Sequence, residues 1–328
     1  MRAAWFERTG PADEVLIVGE RPDPVPAPGE VRVRLAVAGI NPRDLKRRAG
    51  AGDRAMEYPL IIPGDDGAGT IDAVGDGVPE SRIGQRVWVH GASFRRPYGT
   101  AAEYVTVPAE QAVELPKGVP FTVGACLGVP ALTAHRCVFG DGPVDGQTVL
   151  VTGGAGAVGR YAVQFAALAG ARVIATASSA EKRRSARAAG ALHVVDHRDP
   201  AVARTIAELT GGEGVSRVVD VAFGANLPLT SAVIAPGGTI ATYGSDAEPH
   251  PRLPFYRLMR KGVVIRTVLV FTMPPESAAA AVRDVTRHLR SGALTHPIAA
   301  VYPLARIAEA HAAAERGNRV GRILLSTD

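Results

Sequence analysis

Hydrophobic and polar residues alternate in the first third of the chain as half-buried strands require. Residues 30–38 place Val, Arg, Val, Arg and Leu in succession after a glutamate. Segments 67–74, 86–90 and 102–107 have the same character and are separated by glycine and proline turns. A helix is expected to begin near Pro42 with Asn41 as its N-cap. This part is therefore predicted to be rich in strands.

From about residue 120 the pattern changes to apolar runs that alternate with helical segments. Buried strands are predicted at 148–152, 172–176, 193–196, 217–221, 239–243 and 263–270. Helices are predicted at 158–169, 180–189, 201–210 and 227–234. Gly170 and Gly190 follow two of these helices, where glycine commonly ends a helix. The alternation predicts an α/β fold with a parallel, doubly wound sheet.

The tail contains two amphipathic helices and a final strand, predicted near 276–291, 304–316 and 322–325. Because the six predicted strands already complete the parallel sheet, the tail is expected to return to the strand-rich N-terminal part.

Composition and charge limit the function classes. The chain has 328 residues, long enough for two domains, and contains no run approaching the about 18 apolar residues of a membrane span. Its first residues lack the apolar core of a signal peptide, so a cytoplasmic enzyme is expected. The net charge is +5, but the arginines are scattered, which argues against a nucleic-acid partner. Cys126 and Cys137 are too few for a disulfide framework and are expected to be buried.

A glycine-rich turn carries the most specific chemical signal. Gly154, Gly156 and Gly159 have GxGxxG spacing, directly after one predicted strand and at the start of a helix. In that context the backbone of the turn, which includes Ala155, Ala157 and Val158, faces a pyrophosphate at the helix N-terminus. The sequence therefore predicts a dinucleotide site.

The end of the next predicted strand indicates which dinucleotide binds. An NAD site usually has Asp or Glu there for the ribose 2′-hydroxyl. Here the positions that follow are small or basic: Ser178, Ser179, Lys182 and Arg183. They suit a 2′-phosphate, and His197 would add a donor. The alternative interpretation of Lys182 and Arg183 is a solvated helix face, and Glu181 is an alternative acid. The prediction is NADPH.

Several motifs together resemble one family along nearly the whole chain. They are residues 39–44 (GINPRD), 63–69 (PGDDGAG) with Val74 and Gly75, 84–87 (GQRV), 102–104 (AEY), 129–134 (VPALTA) and 321–324 (GRIL). This set resembles the zinc-independent medium-chain dehydrogenases/reductases, and most closely their quinone oxidoreductase branch, which includes zeta-crystallin.

The resemblance implies a GroES-like, mainly β catalytic domain at 1–120 and 271–328 and a Rossmann NADPH-binding domain at 121–270. It also implies an active site in the cleft and a homodimer or homotetramer built partly through the cofactor domains. Asn41 stands where zinc-dependent relatives have a cysteine, and Asp65 and Asp66 stand where they have His-Glu. No metal is therefore expected.

The resemblance also assigns roles to individual residues. Asn41 would contact the nicotinamide ribose or the acceptor oxygen, although a plain helix cap is an alternative role. Residues implied at the cofactor are Thr133, Asn226, Tyr243, Gly244, Ser245, Thr267, Val268 and Leu269. Phe271 would shape the substrate pocket. Two tyrosines frequent in the family are replaced by Lys46 and Gly52; Lys46 and Tyr98 are weaker catalytic candidates, with surface roles as alternatives.

Without a metal, hydride transfer favours acceptors that delocalise the new negative charge. The predicted function is therefore NADPH-dependent reduction of quinones or α,β-unsaturated carbonyl compounds. Two alternatives stay open: a pathway-specific enone or enoyl-thioester reductase in biosynthesis, and an NADPH-binding sensor or a crystallin-like or RNA-binding protein with little turnover.

Overall fold

The computed structural model describes residues 1–51 and 55–327, and the chain forms two compact units. The first unit comprises Met1–Val129 with Thr286–Asp328, and the second comprises Pro130–Val285. This division follows contacts between residues and does not test the predicted domain boundaries at 120 and 270, which stay a prediction. Gly52 lies outside the described residues.

The strands in chain order are β1 (Arg2–Trp5), β2 (Ile17–Glu20), β3 (Glu30–Gly39), β4 (Asp66–Val74), β5 (Arg86–Val89), β6 (Tyr104–Pro108), β7 (Ala112–Glu114), β8 (Thr148–Val151), β9 (Arg172–Thr176), β10 (His193–Val195), β11 (Val215–Asp220), β12 (Ile234–Thr242), β13 (Val264–Thr267), β14 (Ile298–Pro303) and β15 (Arg322–Ser326).

The α-helices are α1 (Ala12–Val15), α2 (Pro42–Ala49), α3 (Phe121–Gly124), α4 (Gly128–Phe139), α5 (Ala157–Leu168), α6 (Ala180–Ala188), α7 (Val202–Leu209), α8 (Phe223–Val233), α9 (Phe255–Lys261), α10 (Pro275–Ser291) and α11 (Ile307–Arg316). Short 3₁₀ turns occur at Glu80–Arg82, Ala109–Gln111, Val270–Thr272 and Leu304–Arg306. Among the helices of the described residues, none is both long and apolar enough to cross a bilayer.

The first unit is built on a seven-stranded sheet with the order β14-β15-β3-β4-β5-β7, in which β6 also pairs with β3. Along β3 the side chains of Val31, Val33 and Leu35 are buried, while Arg32 and Arg34 point to the other face. Burying each of these apolar side chains contributes about 1.5–3 kcal/mol, which fixes the register of the strand. The predicted return of the tail is confirmed, because β15 pairs with β3.

The second unit contains a six-stranded parallel sheet with the order β10-β9-β8-β11-β12-β13. All four residues of β8 are buried, as expected for a central strand covered on both faces. The chain progresses outward in opposite directions from β8 and β11, so the sheet reverses between these two strands. The predicted doubly wound sheet is confirmed, and ligands bind at such a switch point, beyond the carboxyl ends of the strands.

Several element boundaries differ from the prediction. Helix α8 begins at Phe223 rather than 227 and contains Pro228, because the buried Asp220 accepts a hydrogen bond from the Ala222 N–H at its start. The strand predicted at 263–270 is confined to β13, after which a 3₁₀ turn begins at Val270. The helix predicted near 304–316 is a 3₁₀ turn followed by α11.

Candidate functional site

The glycine-rich turn joins β8 to α5 and is held by the neighbouring strand β9. Thr176, the last residue of β9, accepts hydrogen bonds from the N–H of Gly153 at its hydroxyl and of Gly154 at its carbonyl, both at 3.0 Å. Gly153 has a φ of +64°, which favours glycine. Gly156 occupies the N-cap position of α5. The turn is therefore anchored to the sheet with the N-terminus of α5 at the switch point.

The three glycines of the motif differ in what a side chain would meet. A Cβ on Gly159 would lie 2.2 Å from the Gly153 carbonyl oxygen, and one on Gly154 would lie 2.7 Å from the Ala175 Cβ. These two glycines are needed for packing. A Cβ on Gly156 would lie 3.2 Å from the Gly153 oxygen, its nearest neighbour, and Gly156 is exposed. The second glycine therefore keeps the helix N-terminus open, where N–H groups lack helical partners and attract an anion.

The predicted 2′-phosphate residues meet beyond the adjacent ends of β9 and β10. The Ser179 hydroxyl caps α6 by accepting a hydrogen bond from the Lys182 N–H at 3.2 Å. The Arg183 guanidinium lies 3.6 Å from the Asp196 carboxylate, which directly follows β10. His197 is exposed next to it. Glu181, the alternative acid, is exposed in the first turn of α6.

Sequence reasoning missed two members of this group, Asp196 and Arg198. The Arg198 guanidinium donates to both carboxylate oxygens of Asp196, at 3.0 and 2.7 Å, and to the carbonyl oxygen of Ser178. The available signal was that charged residues occupy the end of the strand predicted at 193–196 and the positions after it, at the edge where such sheets bind ligands.

A second cluster lies at the carboxyl end of β11. The Asp220 carboxylate is fully buried and accepts 2.7 Å hydrogen bonds from the Thr152 hydroxyl and the Asn226 side-chain amide. Asn226 thus lies at the switch point with one amide N–H committed to Asp220. Its contact with a cofactor stays a prediction.

The remaining residues predicted at the cofactor follow β12 and β13, apart from one in a helix. Burial raises the pKa of the Tyr243 phenol well above its usual value. Ser245 accepts a hydrogen bond from the Gly224 N–H at 2.9 Å, and Val268 donates to the Thr242 carbonyl at 2.8 Å. The other predicted members are Gly244 and Thr267 beside these two, the exposed Leu269 and the buried Thr133 of α4. Phe271, predicted for the substrate pocket, is half-buried.

In the first unit, Asn41 is the N-cap of α2 and the centre of a buried network. The Asp44 carboxylate accepts hydrogen bonds from the N–H of Asn41 at 2.8 Å and of Gly64 at 3.1 Å. The Asn41 amide donates to Asp66 at 2.8 Å and accepts from the Arg322 guanidinium at 3.0 Å. Because Asn41 occupies the N-cap position of α2, the predicted cap is confirmed. Its side chain is 1% exposed, and its contact with a cofactor or acceptor stays a prediction.

The residues at this place do not fit a zinc ion. Zinc sites in enzymes use three Cys, His or carboxylate ligands. Here the buried Asp66 carboxylate is instead paired with a cation of the protein, because the Arg322 guanidinium lies 3.3 Å from it. Asp65 is bonded to Arg43 at 2.9 Å and to the Ser93 hydroxyl at 2.8 Å. Across residues 1–51 and 55–327 no group of three His, Cys, Asp or Glu side chains is placed to hold a metal ion.

The two weaker catalytic candidates lie on the surface of the first unit. Lys46 is exposed on α2, and Tyr98 is 49% exposed in the loop that follows β5. In the same loop Arg95 has a φ of +56°, with its guanidinium 5.2 Å from the centre of the Phe94 ring. Cys126 and Cys137 are buried and form no disulfide, as expected.

The buried Asp44 carboxyl gives a testable pH dependence. Burial, with the nearby Asp65 charge, raises the pKa of Asp44 from 3.8 to about 7. Between these values the folded protein holds a proton that the unfolded chain has released, so stability falls as the pH rises. We expect the melting temperature of the native protein to fall between pH 5 and pH 7 relative to that of Asp44→Asn. The free-energy slope for one group is at most about 1.4 kcal/mol per pH unit.

The measurement is differential scanning calorimetry across this pH range, with Asp76→Asn as the control. Asp76 is exposed in a turn of the same unit, so its variant should follow the native protein. An Asp44→Asn curve that runs parallel to the native one from pH 5 to pH 7 would contradict the assignment.

Comparison with known proteins matches both parts of the chain. The family model for the alcohol dehydrogenase GroES-like domain matches residues 27–117, and that for zinc-binding dehydrogenases matches residues 157–287. Human quinone oxidoreductase is 30% identical over 314 residues, which cover 95% of this chain and 93% of the human protein.

Solved structures agree with this match. Mycobacterial Rv1454c, solved as a complex with NADPH, superposes with a TM-score of 0.88 and 32% identity, covering 99% of this chain and all of that chain. A structure named as an NAD-dependent alcohol dehydrogenase superposes with a TM-score of 0.89 and 31% identity, covering both chains completely.

Proposed function

We propose that this chain reduces quinones or α,β-unsaturated carbonyl compounds without a metal. The chain belongs to the quinone oxidoreductase branch of the medium-chain dehydrogenase/reductase family. It is an NADPH-dependent oxidoreductase. The observation that carries the proposal is the open N-terminus of α5 at Gly156, next to the cationic edge formed after β9 and β10.

The second unit would bind most of the cofactor. The turn from Gly154 to Gly159 would hold the pyrophosphate, with the N–H groups of the first turn of α5 as donors, because they form the positive end of that helix. Side chains for the 2′-phosphate would be Ser178, Ser179, Lys182, Arg183 and His197. The nicotinamide half would meet Thr133, Asn226, residues 243–245 and residues 267–269. When bound, NADPH supplies the hydride.

Residues for the acceptor are proposed on chemical grounds. Asn41 would donate a hydrogen bond to an acceptor or cofactor oxygen through the amide hydrogen that Asp66 does not take, and Phe271 would border the pocket. Lys46 and Tyr98 are the proposed proton donors. Reduction of a quinone takes one hydride and one proton and gives the hydroquinone and NADP⁺.

The choice of acceptor rests on the chemistry of the residues around Asn41 and Asp66, which do not fit a catalytic zinc ion. A simple ketone develops a localised alkoxide, which usually needs a Lewis acid. The Arg322–Asp66 ion pair takes the place that would have to hold such an ion. Quinones and enones spread the negative charge over a conjugated system, so hydrogen bonds suffice for them.

An apolar surface on the second unit supports the proposed homodimer. On α9 the side chains of Phe255, Tyr256 and Met259 are each more than half exposed, and the edge strand β13 exposes Val264. Exposed aromatic groups beside an unpaired strand edge favour association with a second copy. Sedimentation that shows only a monomer at micromolar concentration would refute this part.

Turnover tests the proposed function directly. We expect NADPH consumption with a panel of simple quinones and enones, and undiminished rates after dialysis against a chelator. Exclusive use of an enoyl thioester would support the biosynthetic alternative. Tight NADPH binding without consumption would support the sensor. Loss of turnover that zinc alone restores would refute the metal-free mechanism.

A further inference from the structure

Arg198 occupies a position that the proposed function leaves unused. It lies two residues beyond Asp196, which directly follows β10. The Asp196 Oδ1 atom accepts from the backbone N–H and the Nε of Arg198, both at 3.0 Å, and Oδ2 accepts from Nη2 at 2.7 Å. A planar guanidinium bound through two parallel hydrogen bonds has a fixed orientation.

A second contact directs this guanidinium towards the end of β9. Nη2 of Arg198 also donates to the carbonyl oxygen of Ser178. Ser178 is where an NAD-binding sheet usually carries its acidic residue. The three hydrogen bonds leave Nη1 with no partner among residues 1–51 and 55–327, and the side chain is 62% exposed. Two N–H donors are therefore available to a ligand.

Two arginine side chains contact the Asp196 carboxylate. Besides Arg198, the Arg183 guanidinium lies 3.6 Å from its Oδ2. Hydrogen bonds from Arg198 hold the pKa of Asp196 well below its usual range, so the carboxylate stays ionised. Because this ion pair is exposed, solvent screening leaves it little effect on stability. The effect of the ion pair is on orientation, because the Asp196 carboxylate holds the guanidinium groups of Arg183 and Arg198 side by side.

We propose that Arg198 determines the cofactor preference, by binding the 2′-phosphate through Nη1 and by keeping Asp196 from accepting a hydrogen bond from a ribose 2′-hydroxyl. The proposal rests on the NADPH site inferred above. It adds Arg198 to that site as a ligand of the phosphate and Asp196 as the carboxylate that Arg198 keeps occupied. In the native protein the carboxylate is satisfied by arginine. Without Arg198, the same carboxylate would favour the unphosphorylated ribose.

The test measures binding of cofactor fragments, so it is independent of catalysis. Isothermal titration with adenosine 2′,5′-bisphosphate and with 5′-AMP compares the native protein, Arg198→Ala and Asp196→Asn/Arg198→Ala. We expect Arg198→Ala to bind the bisphosphate at least about tenfold more weakly, as for loss of one charge-assisted hydrogen bond. The same variant should bind 5′-AMP severalfold more tightly, and the double variant should lose that gain.

Arg204→Ala is the matched control. Arg204 is an exposed arginine on α7 of the same unit and pairs with Glu208, so its removal changes the net charge equally. Its fragment affinities should stay within twofold of native values. Arg198→Ala affinities that equal those of this control would overturn the proposal, as would an equal 5′-AMP affinity in the single and double variants. A native protein that binds neither fragment would instead refute the proposed cofactor site.

Discussion

Gly156→Val is expected to abolish binding of both NADPH and NADH while the chain still folds. Gly156 has a φ of −73°, which any residue adopts, and the nearest atom to an added Cβ is 3.2 Å away. Valine at an N-cap costs on the order of 1 kcal/mol, within the stability of an ordinary domain. Its two methyl groups would fill the space in front of the α5 N–H groups, where a pyrophosphate has to approach.

We expect the dissociation constant for each cofactor to rise by at least about 100-fold, or ~2.7 kcal/mol. Fluorescence titration measures binding, and far-UV circular dichroism with thermal melting checks the fold. Gly156→Ala should give a smaller loss, because one methyl group fills less of the space. Native-like affinity in a folded Gly156→Val protein would place the pyrophosphate elsewhere.

Gly159→Val separates the two roles of the motif. Its Cβ would lie 2.2 Å from the Gly153 carbonyl oxygen, and backbone cannot give way as a flexible side chain can. We therefore expect this variant to reduce the yield of folded protein and not only the affinity for the cofactor. The contrast between the two positions distinguishes a glycine kept for a ligand from one kept for packing.

Local patterns explain why the sequence predicted the scaffold well. The alternation along β3 is contained in 10 residues, and the order of strand, glycine turn and helix is contained in the continuous segment from Thr148 to Leu168. Each pattern also agrees with the tertiary structure, since β3 buries its apolar side and β8 is buried on both faces. Such agreement between local preference and global fold is typical of natural sequences.

The network around Asn41 could not be predicted because its partners are distant in the sequence. Asp66 lies 25 positions away and Arg322 lies 281 positions away. Sequence reasoning identified the cap at Asn41 and the unusual Asp66, but the guanidinium that joins them arrives with the C-terminal strand β15. No spacing rule connects these residues. The same holds for Arg198, whose contact with Ser178 depends on the pairing of β9 with β10.

Lys182→Glu with Arg183→Glu is expected to weaken NADPH binding far more than NADH binding. The Arg183 guanidinium lies 3.6 Å from Asp196, on the edge where Arg198 contacts Ser178, and Lys182 precedes it in the first turn of α6. Reversing both charges would place carboxylates opposite the 2′-phosphate. NADH lacks that phosphate, so its affinity depends mainly on the glycine turn. We expect at least about a 100-fold loss for NADPH, and less than about tenfold for NADH.

The fold should tolerate this change, because acidic residues in the first turn of α6 complement the positive end of the helix. Arg184→Glu with Arg187→Glu is the matched control: it makes the same change of net charge at exposed positions further along α6. Parallel titrations with NADPH and NADH separate the possibilities. A selective loss for NADPH in the first variant and near-native values in the control would locate the 2′-phosphate. Equal losses for both cofactors would mean that the charge reversal acts on the helix itself, and the phosphate site would have to lie away from α6.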